Sequence, residues 1–385
     1  MNSMLSLSHL RDKINNIDEK IIQLLFKRKE LILSVSETKI KNHQDVRDID
    51  REKKMLKNLI TLGKKYHFSQ EYIIQIFQLI IKESVLTQYK SLQKLYNHDK
   101  NNILKVGFLG PNGSYSHIAV RKYTDINYKK IIEKSFLTFQ EIVNSVEKNE
   151  IDCAFLPIEN SSSGAIDEVL YILEKTNLSI IGEINIHINH CLLAIDNAQF
   201  KNITTVYSHP QPLKQCSKFL SQFKHWKIKY TKSTADAIKK VIHYNSITNA
   251  ALGSEIGGKI YKLSTLATQL TNQEKNITRF VLLTKHKIQI SPHIPSKTTL
   301  IFSIKNNSED LIKISSILQQ ENIIMRIISI QKNINNLKEE LVYIDILLNI
   351  SLLSMQKILN KIKKNSNFVK ILGCYPNEKI TSVVL

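Results

Sequence analysis

The chain has 385 residues, 42% of them hydrophobic, which is too long for one ordinary domain and apolar enough for two or three real cores. Its formal charge of +20 comes mostly from lysines diluted among Ile and Asn, with no dense basic block interleaved with aromatics, so composition argues for no nucleic-acid partner. The same charge favours dicarboxylate substrates by a long-range attraction that salt weakens, and no apolar run is long enough to call for a membrane.

Met1 to Arg11 lacks the apolar stretch of a signal peptide, so a cytoplasmic chain is expected. Three helices follow, at about 5–41, 48–62 (ending near Gly63) and 69–90, the last with Ser69 as N-cap candidate. On the first, Ile14, Ile17, Ile21, Leu24, Leu31 and Val35 form the stripe of an amphipathic helix. Arg28 falls on that stripe, and Lys39 returns to nearly the same face at about 100° per residue. Asp48 and Glu52 are an i,i+4 pair with Arg51 beside them, and Ser84 and Gln88 are another in an Ile-rich run. Charges that face a core need opposite charges. Interior salt bridges from Arg28 to Asp48 or Glu52 satisfy that need, and so does a small anionic ligand.

Asn97–Asn102 is a polar linker, and from Leu104 the pattern changes. A strand at Lys105–Leu109 enters Gly110-Pro111-Asn112-Gly113-Ser114, a helix covers Phe139–Lys148, and a strand covers Cys153–Ile158. Helix and strand signals alternate to about residue 285, which indicates α/β architecture. Gly, Ser and Asn cluster at the expected strand ends: Pro157–Gly164, Ser208-His209-Pro210-Gln211, Gln215, Gly253-Ser254-Glu255 and Thr278-Arg279-Phe280. Such clusters are ordinary turns or the lining of a ligand crevice. After a second linker at Ser291–Ser296 the order is strand, helix, strand, strand, helix, strand. The elements are Thr299–Ile304, Leu311–Gln320, Ile323–Ile330, Glu340–Leu347, Leu352–Lys363 and Val369–Leu372, a ferredoxin-like arrangement. The four cysteines are scattered without a C-x-x-C pair, and His187 and His190 fall on opposite faces of a strand, so no metal site is expected.

The eight residues Arg11, Arg28, Lys39, Asp48, Arg51, Glu52, Ser84 and Gln88 fill, in order, the pattern of the all-helical chorismate mutase module, which the N-terminal segment resembles. The resemblance implies a three-helix, intertwined homodimer. It implies that Arg11 and Arg28 bind the two carboxylates of chorismate with support from Arg51 and Ser84. Lys39 and Gln88 would donate to the ether oxygen, while Asp48 and Glu52 address the hydroxyl side. The Thr-Arg-Phe tripeptide, the Glu159–Gly164 segment and Ser-His-Pro-Gln resemble the prephenate dehydratase domain, of periplasmic-binding-protein-like α/β fold. That likeness sets Thr278 at the leaving hydroxide, with Asn160, Ser208 and Gln215 next to it.

The C-terminal order, with Gly373-Cys374-Tyr375-Pro376, is similar to the ACT module. Together these modules look like the bifunctional chorismate mutase/prephenate dehydratase family, with limits 1–92, 105–285 and 299–376. Chorismate and prephenate are the implied partners, and no cofactor is implied. Where that family's ACT module reads Gly-Ala-Leu-Val and Glu-Ser-Arg-Pro, this chain reads Glu309-Asp310-Leu311-Ile312 and Ser329-Ile330-Gln331-Lys332. Weak or absent feedback by phenylalanine is therefore expected. Two other classes fit parts of the chain: a sensor with a helical DNA-binding head, against which the long first helix argues, and a non-catalytic amino-acid-binding protein.

Overall fold

The computed structural model describes residues 7–42, 44, 48–96, 103–127, 130–273, 275–290, 292, 294–305, 308–320, 323–333, 336 and 339–377. The chain divides into two compact units, Met1–Asp99 with Gln289–Pro295 and Lys379–Leu385, and Lys100–Ile288 with Ser296–Glu378.

The first unit is helical: α1 (Leu7–Lys41), α2 (Ile49–Lys65) and α3 (Gln70–Tyr96). Asp48 caps α2 by accepting from the Arg51 amide at 2.9 Å. Ser69 caps α3, accepting from the Tyr72 amide at 3.2 Å. α2 ends close to Gly63, whose carbonyl accepts from the Tyr66 amide at 3.0 Å. A Cβ there would lie 2.6 Å from the Ile73 side chain, so this glycine lets α2 close on α3, and the helix runs on to Lys65. The turn comes at His67, in the left-handed region with φ 61°. The shared core is small, Leu56 and Ile60 against Ile73. The α1 stripe does not face this core: Ile14, Ile17, Ile21, Leu24 and Leu31 are 49–68% exposed within the single chain.

The second unit begins with β1 (Ile103–Leu109), α4 (Tyr115–Asn127), β2 (Lys130–Phe136), α5 (Phe139–Glu147), β3 (Cys153–Asn160), β4 (Gly164–Ala165), α6 (Asp167–Lys175) and β5 (Ser179–His187). A second set follows: β6 (His190–Ala194), β7 (Thr205–Ser208), α7 (Pro210–Gln215), α8 (Ser217–Leu220), β8 (Lys227–Tyr230), α9 (Thr234–Tyr244), β9 (Asn249–Ser254), α10 (Glu255–Ile260) and β10 (Ser264–Ala267). The chain then returns as β11 (Ile277–Thr284). Two sheets result, of order β2-β1-β3-β11-β5 with β4 on β3, and β10-β6-β9-β7-β8. The chain passes between them at Ile188–Asn189 and again between β10 and β11. The returning β11 is antiparallel to both neighbours, β3 and β5. α5 starts with a complete capping box, Thr138 with Glu141, and buries Phe139, Ile142, Val143 and Val146 on the first sheet.

The remainder is β12 (Ser296–Lys305), α11 (Ser308–Gln320), β13 (Met325–Lys332), β14 (Glu339–Ile346), α12 (Leu353–Lys364) and β15 (Val369–Pro376), a sheet of order β13-β14-β12-β15 with all pairs antiparallel. Period-two alternation gives β12 two working faces. Leu300, Phe302 and Ile304 join Val342 and Ile344 under Ile314 of α11 and Met355 and Ile358 of α12. Ile301, Tyr343, Leu372 and Tyr375 instead join Ile142 of α5 and Leu170 and Leu173 of α6 in one core. Three further devices seat this sheet. A Cβ on Gly373 would lie 2.0 Å from the Ile180 carbonyl oxygen, so β15 approaches β5 backbone to backbone. The Lys370 ammonium donates to the Leu173, Glu174 and Thr176 carbonyls at the end of α6, where a cation also suits the helix dipole. Arg326 pairs with Glu159 at 2.6 Å.

Candidate active sites

In the helical unit, α1 lies along α3 and brings Arg28 to Ser84. The guanidinium donates to the Ser84 hydroxyl, which donates in turn to the Ile80 carbonyl at 2.6 Å. Gln88, one turn on, donates from Nε2 to the Ser84 carbonyl at 3.4 Å. Its Oε1 is buried without a hydrogen-bond partner among the described residues. Ser36, which sequence reasoning passed over, is buried on α1 and donates to the Gln88 carbonyl at 3.5 Å. Burial lowers the Arg28 pKa, the signature of a cation partly removed from water. Lys39 and Glu52 are half-buried, whereas Arg11, Asp48 and Arg51 are exposed in this chain. The Asp48 carboxylate is engaged at the start of α2. Arg51 lines a shallow groove on α2 with Lys54, Met55, Asn58, Leu59 and Leu62. Arg11 stands on the same helix as Arg28, roughly 25 Å away at 1.5 Å per residue. Arg28, Ser84 and Gln88 thus form one hydrogen-bonded set across α1 and α3, while Asp48 and Arg51 meet at the start of α2.

In the second unit, β3 and β11 pair so that Asn160 faces Thr278. Asn160 Nδ2 donates to the Thr278 hydroxyl at 2.9 Å and to Asn276 Oδ1 at 2.8 Å. Asn160 Oδ1 accepts from the Ser162 and Ser163 amides, at 2.9 and 3.1 Å, which fixes which end of the amide faces the threonine. Because the Thr278 oxygen accepts from Asn160, its own proton is left to donate elsewhere. Asn276 was missed by sequence reasoning, although period two puts it on the Thr278 face. Gln211 reaches from the second sheet's α7 to Ser163, Nε2 to Oγ at 3.2 Å.

Ser208 is fully buried, and its hydroxyl donates to the His209 carbonyl at 3.0 Å. Gln215 is half-buried, and its Oε1 lies 2.9 Å from His190 Nε2. His187 and His190 lie on different strands, the first exposed and the second buried. Among the described residues no group of three or more His, Cys, Asp or Glu could hold a metal. The Gly110–Ser114 turn has φ 81° at Gly110 and 85° at Gly113, and a Cβ on Gly113 would lie 2.9 Å from Gly257 Cα. Ser254 Oγ bonds the Gly113 carbonyl at 2.8 Å, which ties this turn to the second sheet.

Arg279, next to Thr278, points to the opposite face of β11. It is 3% exposed and pairs with Glu183 at 2.6 Å, Asp345 at 2.7 Å and Glu159 at 3.0 Å, and donates to Tyr375 Oη at 2.8 Å. Lys297 adds a bond to Glu183 at 2.7 Å, and Thr299 donates to Asp345 at 2.6 Å. Burial pushes the Asp345 carboxyl up, but Arg279 and Lys297 outweigh it and hold the pKa below the usual value. The strand that carries Thr278 on one face is thus clamped by the C-terminal sheet on the other.

A two-site enzyme is the class these features fit, with Arg28, Ser84 and Gln88 grouped in one unit and Asn160 and Thr278 paired in the other. Residues 10–89 match the family model Chorismate mutase type II, and residues 106–288 match Prephenate dehydratase. The chain is 56% identical over 378 residues to the bifunctional chorismate mutase/prephenate dehydratase of Buchnera aphidicola subsp. Acyrthosiphon pisum, covering 98% of both chains. It is 44% identical over 374 residues to the protein of that name from Escherichia coli K12, covering 97% of each. A solved prephenate dehydratase from Arthrobacter aurescens, in complex with L-Phe, shares the fold at TM-score 0.63 and 20% identity, over 73% of this chain and 93% of that one. The chain belongs to the bifunctional chorismate mutase/prephenate dehydratase family.

Proposed function

We propose that this chain performs both steps of its family: it rearranges chorismate to prephenate, then removes carbon dioxide and hydroxide from prephenate to give phenylpyruvate, in phenylalanine biosynthesis. Full-length identity to relatives carrying both names is the observation that carries the reading. The proposed module limits are 1–92, 105–285 and an ACT module at 299–376. The test is to add chorismate to the protein and follow prephenate, then phenylpyruvate.

The mutase step is pericyclic and needs no nucleophile. The site must hold the folded diaxial conformer and stabilise the ether oxygen as the C–O bond breaks and charge develops there. Arg28, supported by Ser84, suits one carboxylate. Lys39 and Gln88 are our donors to the ether oxygen, Glu52 and Asp48 address the hydroxyl side, and Arg51 supports the carboxylates. A single chorismate cannot touch both Arg11 and Arg28 of one helix, so Arg11 comes from a second copy. The uncovered apolar stripe on α1 supports the same homodimer, since a monomer rarely exposes so large an apolar face.

In the dehydratase step the ring becomes aromatic as the carboxylate leaves as carbon dioxide and hydroxide leaves from the opposite carbon. Thr278, with its oxygen accepting from Asn160, is our donor to the departing hydroxide. Asn160 orients it, and Gln215 and Ser208 complete the binding side. No nucleic acid, membrane or cofactor enters this reading, and the four free, buried cysteines support a cytoplasmic chain. Phenylalanine inhibition is weak or lost. Gln331, in the segment that should contact the amino acid, instead donates to Asp167 of α6 at 2.7 Å. The Glu309 and Asp310 side chains lie outside the described residues.

A further inference from the structure

Three elements of the second unit converge beside the first crossing between the two sheets. Tyr115 opens α4, His190 opens β6, and Gln215 closes α7. The Tyr115 hydroxyl is 3.2 Å from His190 Nδ1 and donates to the Asn189 carbonyl at 2.7 Å. The two rings meet edge to face at 5.5 Å. On its other side the imidazole meets Gln215 Oε1 at 2.9 Å. His190 is 2% exposed, in a setting where a polar ring is expensive unless both nitrogens are used.

The chemistry of the partners assigns the protons. A carbonyl oxygen opposite Nε2 calls for an N–H there, and a neutral ring then leaves Nδ1 as an acceptor, with the Tyr115 proton shared between the Asn189 carbonyl at 2.7 Å and Nδ1 at 3.2 Å. Burial lowers the His190 pKa against the raising effect of the Gln215 bond, which agrees with a neutral ring. With its oxygen held, Gln215 has one orientation. Its NH2 group has no hydrogen-bond partner among the described residues, and the residue is only half-buried.

We propose that His190 is a positioning residue of the dehydratase reaction, holding Gln215 by its carboxamide oxygen so that the NH2 group is presented to an oxygen of prephenate, with Tyr115 bracing the ring from the first sheet. This rests on the reading that Gln215 touches prephenate. A residue in this position acts only through Gln215, so its effect should vanish when Gln215 is gone.

The test is dehydration of supplied prephenate by the full-length chain carrying Gln215→Ala, His190→Ala, both together, His190→Gln and His190→Asn. Gln215→Ala should slow the reaction. His190→Ala should lower kcat by ~10–10²-fold with KM little changed, as expected when a contact group is misplaced by about an ångström. The double variant should be no slower than Gln215→Ala. His190→Gln, whose amide nitrogen can stand near the former Nε2, should recover most of the rate, while His190→Asn, one methylene shorter, should not. Wild-type kcat in His190→Ala beside a slow Gln215→Ala overturns the proposal. So does a His190→Ala loss that persists in full in the Gln215→Ala background. Equal rates for the Gln and Asn variants overturn it even if the Ala variant does not fold. A wild-type rate for Gln215→Ala removes the Gln215 reading itself, and the proposal with it.

Discussion

Asp345→Asn keeps the shape of the side chain and removes a negative charge that the C-terminal sheet brings to Arg279. In the wild-type cluster Arg279, Lys297 and Arg326 face Glu159, Glu183 and Asp345, with Arg279 and Asp345 almost wholly enclosed. Removing one member of a buried pair costs about 3–5 kcal/mol, because the other charge stays buried without compensation. Arg279 and Lys297 keep Glu183, so the lower end, about 3 kcal/mol, is expected at pH 7. Trp226, the only tryptophan, is buried in the second unit, so its fluorescence reports unfolding there. The urea midpoint should fall by roughly 1–2 M. The pH dependence has a definite sign. The folded Asp345 pKa is depressed, so its contribution is present above the unfolded value of about 3.9 and is lost as pH falls through the folded value. The gap between wild type and variant should therefore close in acid. A loss below about 1 kcal/mol at pH 7, or a gap that widens in acid, would refute the argument that this charge balances Arg279.

The two chemistries should separate by mutation. Lys39→Ala should slow the mutase by at least the ~10²–10³-fold typical of one lost oxyanion-type donor and spare dehydration of prephenate, while Thr278→Val should do the reverse. Loss of both activities in either folded variant would argue for a shared site. Mixing Arg11→Ala and Arg28→Ala subunits should restore part of the mutase rate, because one of the two mixed pockets is intact; a fully active monomer would end that account. Dehydratase rate against phenylalanine up to millimolar levels should stay nearly flat, and inhibition in the micromolar range would contradict the reading of Gln331 and its segment.

Periodicity made the elements of this chain readable. The α1 stripe, the Ser69 cap and the βαββαβ order all rest on local spacing that the fold keeps. Less was legible where a residue answers to a distant neighbour. Gly63 lies in the last turn of α2, near the end expected for it, but its second role as the gap that Ile73 fills depends on α3. The α1 stripe looked inward, yet among the described residues most of it is exposed. Resemblance named Thr278, Asn160 and Gln215, but not why each is held. Asn160 and Thr278 are 118 positions apart and meet only through the β3–β11 register. Arg279 gave no sign of its role, because its partners come from β3, β5 and β14. The bond from the Ser208 hydroxyl to the His209 carbonyl is likewise not announced by its place at a strand end.

The uncovered stripe on α1 makes protein concentration a variable that the two activities feel differently. A helix 35 residues long with Ile and Leu in water has no independent reason to persist, so in the dimer reading its order is second order in chain. The second unit closes its cores within one chain and is first order. Dilution should therefore erode prephenate formation before prephenate consumption.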